Sequence, residues 1–297
     1  MTPISIHMAS LGMTLLALYC LGTQISVPMI TSQLRHWRTL LAICIGQWLV
    51  LPVILACYLA ILGGNDRETL AVAVVAMAPA GMFAVTALYL IGISFSAALV
   101  GVLLLEILGA ILLFGAIDLF WNTEIMPADQ LQESLTDMSR SQLVLLFLPM
   151  LVGLATRYLF PSLGPMLYRP TRLVIWGAYI TVAAHAVSLK SHFSYRADVI
   201  GTLPMVVGMV GCGILAGFAV YLLSRHLLKL NGHDTVMAST LIGVQGPAPA
   251  LLLTQIHRED WTELAAVTIN YALLLPILAG VWLVISKTRW GSMLLPR

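Results

Sequence analysis

The chain has 297 residues, of which 60% are hydrophobic and only 9% charged. A soluble domain of that length carries about a quarter charged residues, so the composition excludes a water-soluble globular fold and points to a polytopic membrane protein. Net charge is +2 with Lys and Arg scattered, which offers no basic face for nucleic acid.

A membrane-spanning helix needs about 20 mostly apolar residues. Such runs fall at about 6–29, 39–62, 69–91, 94–121, 141–160, 171–190, 199–226, 235–256 and 262–286. They predict an all-α membrane protein with nine transmembrane helices. The first run lacks the basic flank and cleavage site of a signal peptide and is expected to remain as a span. Cys20, Cys44, Cys57 and Cys212 all lie inside apolar runs, where they suggest neither a disulfide framework nor a metal site.

The third and eighth runs are interrupted, at Pro79-Ala80-Gly81 and at Gly243-Val244-Gln245-Gly246-Pro247-Ala248-Pro249. A helix broken at membrane depth leaves backbone N–H and C=O groups unpaired, at several kcal/mol each, unless protein, water or a ligand takes them up. Paired broken helices in the two halves of a chain point to the binding site of a secondary transporter. With the N-terminus outside, ten Lys and Arg fall in cytoplasmic segments (Arg172 among them) and five in external ones, which favours N-out and C-in. Setting Pro79 against Pro247 also pairs Gly81 with Pro249, Ser94 with Thr262 and Ala97-Ala98 with Ala265-Ala266. Spans 3 and 8 run in opposite directions, as an inverted repeat requires.

Three stretches carry a family resemblance: Gln47-Trp48-Leu49-Val50-Leu51-Pro52, the run from Ala78-Pro79 to Tyr89-Leu90, and Leu241-Ile242-Gly243-Val244-Gln245-Gly246. They resemble motifs of the bile acid:sodium symporter family, and the likeness extends over nearly the whole chain. The resemblance implies two inverted units, with two crossing broken helices in a core domain that packs beside a panel domain. It also implies the family's shorter, nine-helix form: one transmembrane domain over 1–297, a first repeat over 1–121 lacking its first helix, and a second over 141–286. Spans 2–4 and 7–9 would then form the core, and spans 1, 5 and 6 the panel. Of the residues that would hold sodium, Gln47, Gly243 and Gln245 match. Ala84-Val85 stand in place of a Ser-Asn pair and Leu241 in place of a Glu. Sodium is therefore the one cofactor in view, on resemblance alone; it is a hard cation that wants several oxygens.

The candidate substrate- and ion-binding residues are Gln47, Pro79, Gly81, Glu106, Gly243, Gln245, Gly246, Pro247, Pro249 and Asn270. The two glutamines are amides in apolar surroundings, suited to a cavity or to interhelical bonding. The Pro and Gly residues expose half-helix ends, whose N-termini favour an anionic group. Glu106, mid-way along span 4, is a candidate proton acceptor in place of the missing family carboxylate. Asn270 lies within reach of the crossing, and His185 of span 6 is either cavity-facing or packed. The glycines at 208, 211, 213 and 217 read as close helix packing. No paired acid and base, nucleophile motif or phosphate loop suggests an enzyme. The expected function is transport of a small organic anion across the cytoplasmic membrane by alternating access, with sodium or a proton as coupling ion. The alternative is a membrane sensor or scaffold that keeps the fold without transporting.

Overall fold

The computed structural model describes residues 3–62, 67–77, 84–85, 88–89, 98–102, 104–105, 108, 144, 147–193, 201–244, 263, 266–274 and 277. Among the described residues 92% are helical and none lies in a strand, so the all-α class holds. The longer helices are α1 (Pro3–Gln24), α2 (Val27–Leu34), α3 (Trp37–Ile45), α4 (Leu51–Leu62) and α5 (Arg67–Met77). They are followed by α6 (Phe147–Leu159) and then by α7 (Leu163–Phe193), α8 (Leu203–Leu222) and α9 (Gly232–Gly243). Two π-helical segments, Gly46–Val50 and Leu223–Leu227, join α3 to α4 and extend α8.

Prolines account for most of the irregularities. Pro52 has no N–H, and its ring would collide with the carbonyl of Trp48 in a regular helix. The chain widens to π geometry just before it, with the Leu51 amide bonded to the Gly46 carbonyl. The helix thus runs on through Leu62, and Trp37–Leu62 and Leu203–Leu227 are each long and apolar enough to cross a membrane. Pro28 has a different effect. Span 1 was expected to continue to 29, but α1 ends at Gln24 and Pro28 opens α2 as its second residue, where a missing N–H costs nothing. Helix α7 also departs from expectation, because it begins at Leu163 rather than near 171 and contains Pro170. Pro170 and Met166, whose carbonyl loses its donor, are both exposed, so the lost bond falls on an accessible face.

The described residues share one apolar core, within which the closest helix–helix contacts form two groups. In the first, α1 lies along α7 and crosses α6 at two facing glycines. A Cβ on Gly22 would collide with the Met150 carbonyl, and one on Gly153 with the Tyr19 carbonyl. Arg157 Nη1 donates to the Thr23 carbonyl at 2.9 Å and Gln24 Nε2 to the Gly164 carbonyl at 3.0 Å, closing the same end. In the second group, α8 packs on α9, α4 and α5, and α9 on α3. Gly101 lies against Ile43 and Leu241, and Asn270 Nδ2 donates to Thr202 Oγ1 at 3.0 Å. Outward faces stay apolar: Leu173, Ile180 and Val187 repeat every seven residues along α7, and Leu173 is 75% exposed.

Candidate functional site

The Gly46–Val50 segment holds the clearest polar feature of the interior. Gln47 is fully buried, and its Nε2 donates to the carbonyl of Met77 at 3.0 Å. Met77 ends α5, two residues before Pro79. Because the N–H side of the amide must face that carbonyl, Oε1 is turned away from it, and it is buried without a partner. The indole Nε1 of Trp48, next in the segment, is buried without a partner as well. Each such group costs roughly 1–3 kcal/mol when left unmade, and π segments recur at functional sites.

The end of α9 closes on the same segment. A Cβ on Gly46 would lie 2.6 Å from Ile242 Cγ1 and 2.7 Å from Val220 Cγ2, so only glycine allows this approach. Helix α9 stops at Gly243, and Val244 turns to extended geometry at φ −118 and ψ 98. That stop falls on the first residue of the second expected break. Two glycines of α8 receive it. A Cβ on Gly213 would meet the Gly243 carbonyl at 3.2 Å, and one on Gly217 the Ser239 carbonyl at 2.8 Å. Of the other two glycines in that run, Gly208 faces Tyr58 and Gly211 faces open space.

Of the residues expected at the site, Gln47 and Gly243 thus lie on neighbouring elements. Asn270 is buried and bonded to Thr202, at the start of α8. Pro79, Gly81, Glu106, Gln245, Gly246, Pro247 and Pro249 lie outside the described residues. Ala84, Val85 and Leu241, at positions where the family resemblance implies ion ligands, are fully buried apolar side chains. His185 is buried on α7.

Sequence reasoning missed two polar constellations. The first joins the starts of α9 and α3. Asn231 caps α9 by accepting from the Asp234 amide at 2.7 Å. The Asp234 carboxylate in turn accepts from Asn231 Nδ2 and Thr39 Oγ1, both at 3.2 Å, and lies 3.4 Å from His36 Nδ1 and 3.9 Å from His233 Nδ1. His233, then His36 and the Thr39 hydroxyl hold the carboxyl below the ordinary carboxylate range, against the opposing effect of burial. An Asn three residues before an Asp was the available signal, a variant of the capping box.

The second constellation gathers Tyr168 and Arg172 of α7 with Tyr89. Arg172 on α7 has its guanidinium 5.1 Å from the Tyr168 ring centre and 5.8 Å from that of Tyr89. Tyr89 Oη donates to the Tyr168 carbonyl at 3.0 Å, and the two rings meet edge to face. The spacing of Tyr168 and Arg172, one helical turn apart, was the sequence signal. Compared with known proteins, the chain matches no family model and no curated relative.

Proposed function

We propose that this chain is a secondary transporter resembling the bile acid:sodium symporters, moving a small organic anion across the cytoplasmic membrane by alternating access. The observation that carries the proposal is Gln47: a fully buried amide, tied to the Met77 carbonyl two residues before Pro79, with an unmade acceptor beside the point where α9 stops. A buried group poised in this way is suited to a ligand that completes its hydrogen bonds.

Two further observations support the nine-span, inverted-repeat topology. The grouping of α1, α6 and α7 apart from α3–α5, α8 and α9 coincides with the panel and core that the resemblance implies. The long-range contacts also join span ends that the N-out topology assigns to one side. Thr23 with Arg157, Thr39 with Asp234 and Tyr89 with Tyr168 are cytoplasmic in that scheme. Tyr58 with Met205, and Asn270 with Thr202, are external. The apolar faces of α7 and α8 would then meet lipid.

The side chains present do not fit the family's sodium site, because Ala84, Val85 and Leu241 offer no oxygen. Glu106 is the alternative acceptor of a coupling proton. The loss of those ligands also favours a second reading, a sensor that binds without transporting. Uptake of labelled organic acids into proteoliposomes under imposed sodium or proton gradients distinguishes them. Carrier activity is expected, and Gln245→Ala is expected to reduce it without loss of folded protein. Binding without flux in the wild-type protein would replace the carrier by the sensor.

A further inference from the structure

Arg172 was counted in the sequence as one of the positive charges that set topology, and such a charge belongs in water or among headgroups. Its surroundings are different. The residue is half-buried, its Nε is buried without a partner, and no described carboxylate lies within ion-pairing distance of it. Its one side-chain hydrogen bond runs from Nη2 to the Tyr168 hydroxyl, at 3.0 Å. Nε and Nη2 form the edge of a guanidinium that holds a carboxylate, sulfonate or phosphate through two parallel N–H bonds. Here one of those donors is unmade and the other is satisfied by a hydroxyl that a ligand can displace.

The edge is also covered. Tyr89 lies beyond the first expected break, in the span that the resemblance assigns to the core, and its ring stands over the guanidinium of Arg172 on α7. The Tyr89 hydroxyl bonds to the backbone of Tyr168, which on the core-and-panel reading ties span 3 to the panel. On that reading, movement of core against panel uncovers the charge.

We propose that Arg172 recognises the anionic group of the transported molecule and that Tyr89 is its cover, so that binding of the anion is linked to separation of the two helix groups. This rests on the carrier reading above and adds to it a recognition residue and the charge type it selects. The anion is the substrate's own; the phosphate of an anionic lipid offers the same chemistry and is separated from it by the test.

The test uses the full chain in phosphatidylcholine nanodiscs, with 4-phenylbutyrate and its uncharged amide as probes, followed by tryptophan fluorescence. The wild-type protein is expected to prefer the acid by about tenfold or more, the factor of a charge-assisted hydrogen bond. Arg172→Gln is expected to bring the ratio to about one while leaving amide binding intact, a change that general misfolding does not produce. Arg172→Lys is expected to keep part of the preference, through its charge without the fork, and Tyr89→Ala to bind the acid more tightly. A wild-type protein without the preference, or an Arg172→Gln protein that retains it, overturns the recognition role; unchanged or weaker acid binding in Tyr89→Ala overturns the cover. Phosphatidylglycerol that abolishes the preference when added to the nanodiscs assigns the guanidinium to a headgroup and overturns the substrate role. Uptake with equal rates for acid and amide removes Arg172 and leaves the carrier, whereas a preference lost in Arg172→Gln without any uptake keeps the site and removes the carrier.

Discussion

The crossing of α1 and α6 gives a prediction whose sign depends on backbone contact alone. A Cβ on Gly153 would collide with the Tyr19 carbonyl and lie 2.9 Å from Gly22 Cα and 3.0 Å from Thr23 N. Those atoms are backbone and cannot rotate away, and the optimal carbon separation is about 3.5–4.0 Å. Gly153→Ala therefore forces the helices apart by roughly 0.5–1 Å, enough to forfeit a quarter to a half of each dispersion contact along the crossing. Overpacking of this kind costs about 1–3 kcal/mol, and the better helix propensity of Ala returns about 0.5–1. The expected net loss is about 1–2 kcal/mol. Gly12 and Gly211 have nothing within 4 Å of a built Cβ, so Ala at either is expected to stabilise by about 0.5–1 kcal/mol. Unfolding in mixed micelles titrated with dodecyl sulfate, followed by circular dichroism, measures all three. Gly22→Ala combined with Gly153→Ala should cost less than the sum of the two, because one separation relieves both. A Gly153→Ala protein as stable as Gly211→Ala would refute the close crossing.

The other predictions concern the polar interior. Gln47→Leu exchanges one hydrogen bond for removal of a buried unmade acceptor, so stability is expected to change by less than about 1 kcal/mol, while binding of organic acids, read as a thermal shift, is lost; a retained shift removes Gln47 from the site. Asp234→Asn is expected to cost about 1–3 kcal/mol at neutral pH, through weakened bonds to Thr39 and the two histidines. The Asp234 carboxyl is held below its ordinary value in the folded chain, so its contribution is full above the unfolded-state pKa of about 3.9 and is lost as pH falls through the lower folded-state value. The stability difference between wild type and Asp234→Asn should therefore persist from neutral pH down to about 4 and shrink below it; a difference that shrinks between pH 7 and 5 instead would contradict this.

How far the fold was legible depended on which physical term fixed each part. Apolar length alone identified helices, and the second expected break marked where α9 stops, at Gly243; the effects of Pro28, Pro52 and Pro170 were not foreseen. Register was less legible. A helix apolar on every side has no preferred face in its sequence, so the lines of contact had to be inferred from small residues. That inference succeeded at Gly213 and Gly217 and failed at Gly211, which faces open space. The pair Gly22 and Gly153 was missed because its members lie 131 positions apart in the chain and neither stands in a glycine run. The burial of Arg172 Nε was not legible for a related reason: charge is visible in a sequence, but the partial burial of one guanidinium nitrogen is not.

The same distinction bears on what drives the proposed carrier. The positions where the resemblance implies sodium ligands hold Ala84, Val85 and Leu241, each fully buried, and Leu241 lies against the Gly101 backbone and beside Ile43. Among the described residues, an ion stripped of water there would find the Gln47 amide oxygen and no oxygen from Ala84, Val85 or Leu241, whereas a hard cation requires several. The Leu241 side chain occupies the space that the absent Cβ of Gly101 opens. On the proposed reading, sodium coupling of the family type is therefore disfavoured by the chemistry of these three side chains. The remaining sources of drive are the gradient of the organic anion itself and a proton carried at Glu106. Recognition of the anion by Arg172 is compatible with either, because a guanidinium stays charged across the physiological range and needs no co-ion to attract a carboxylate.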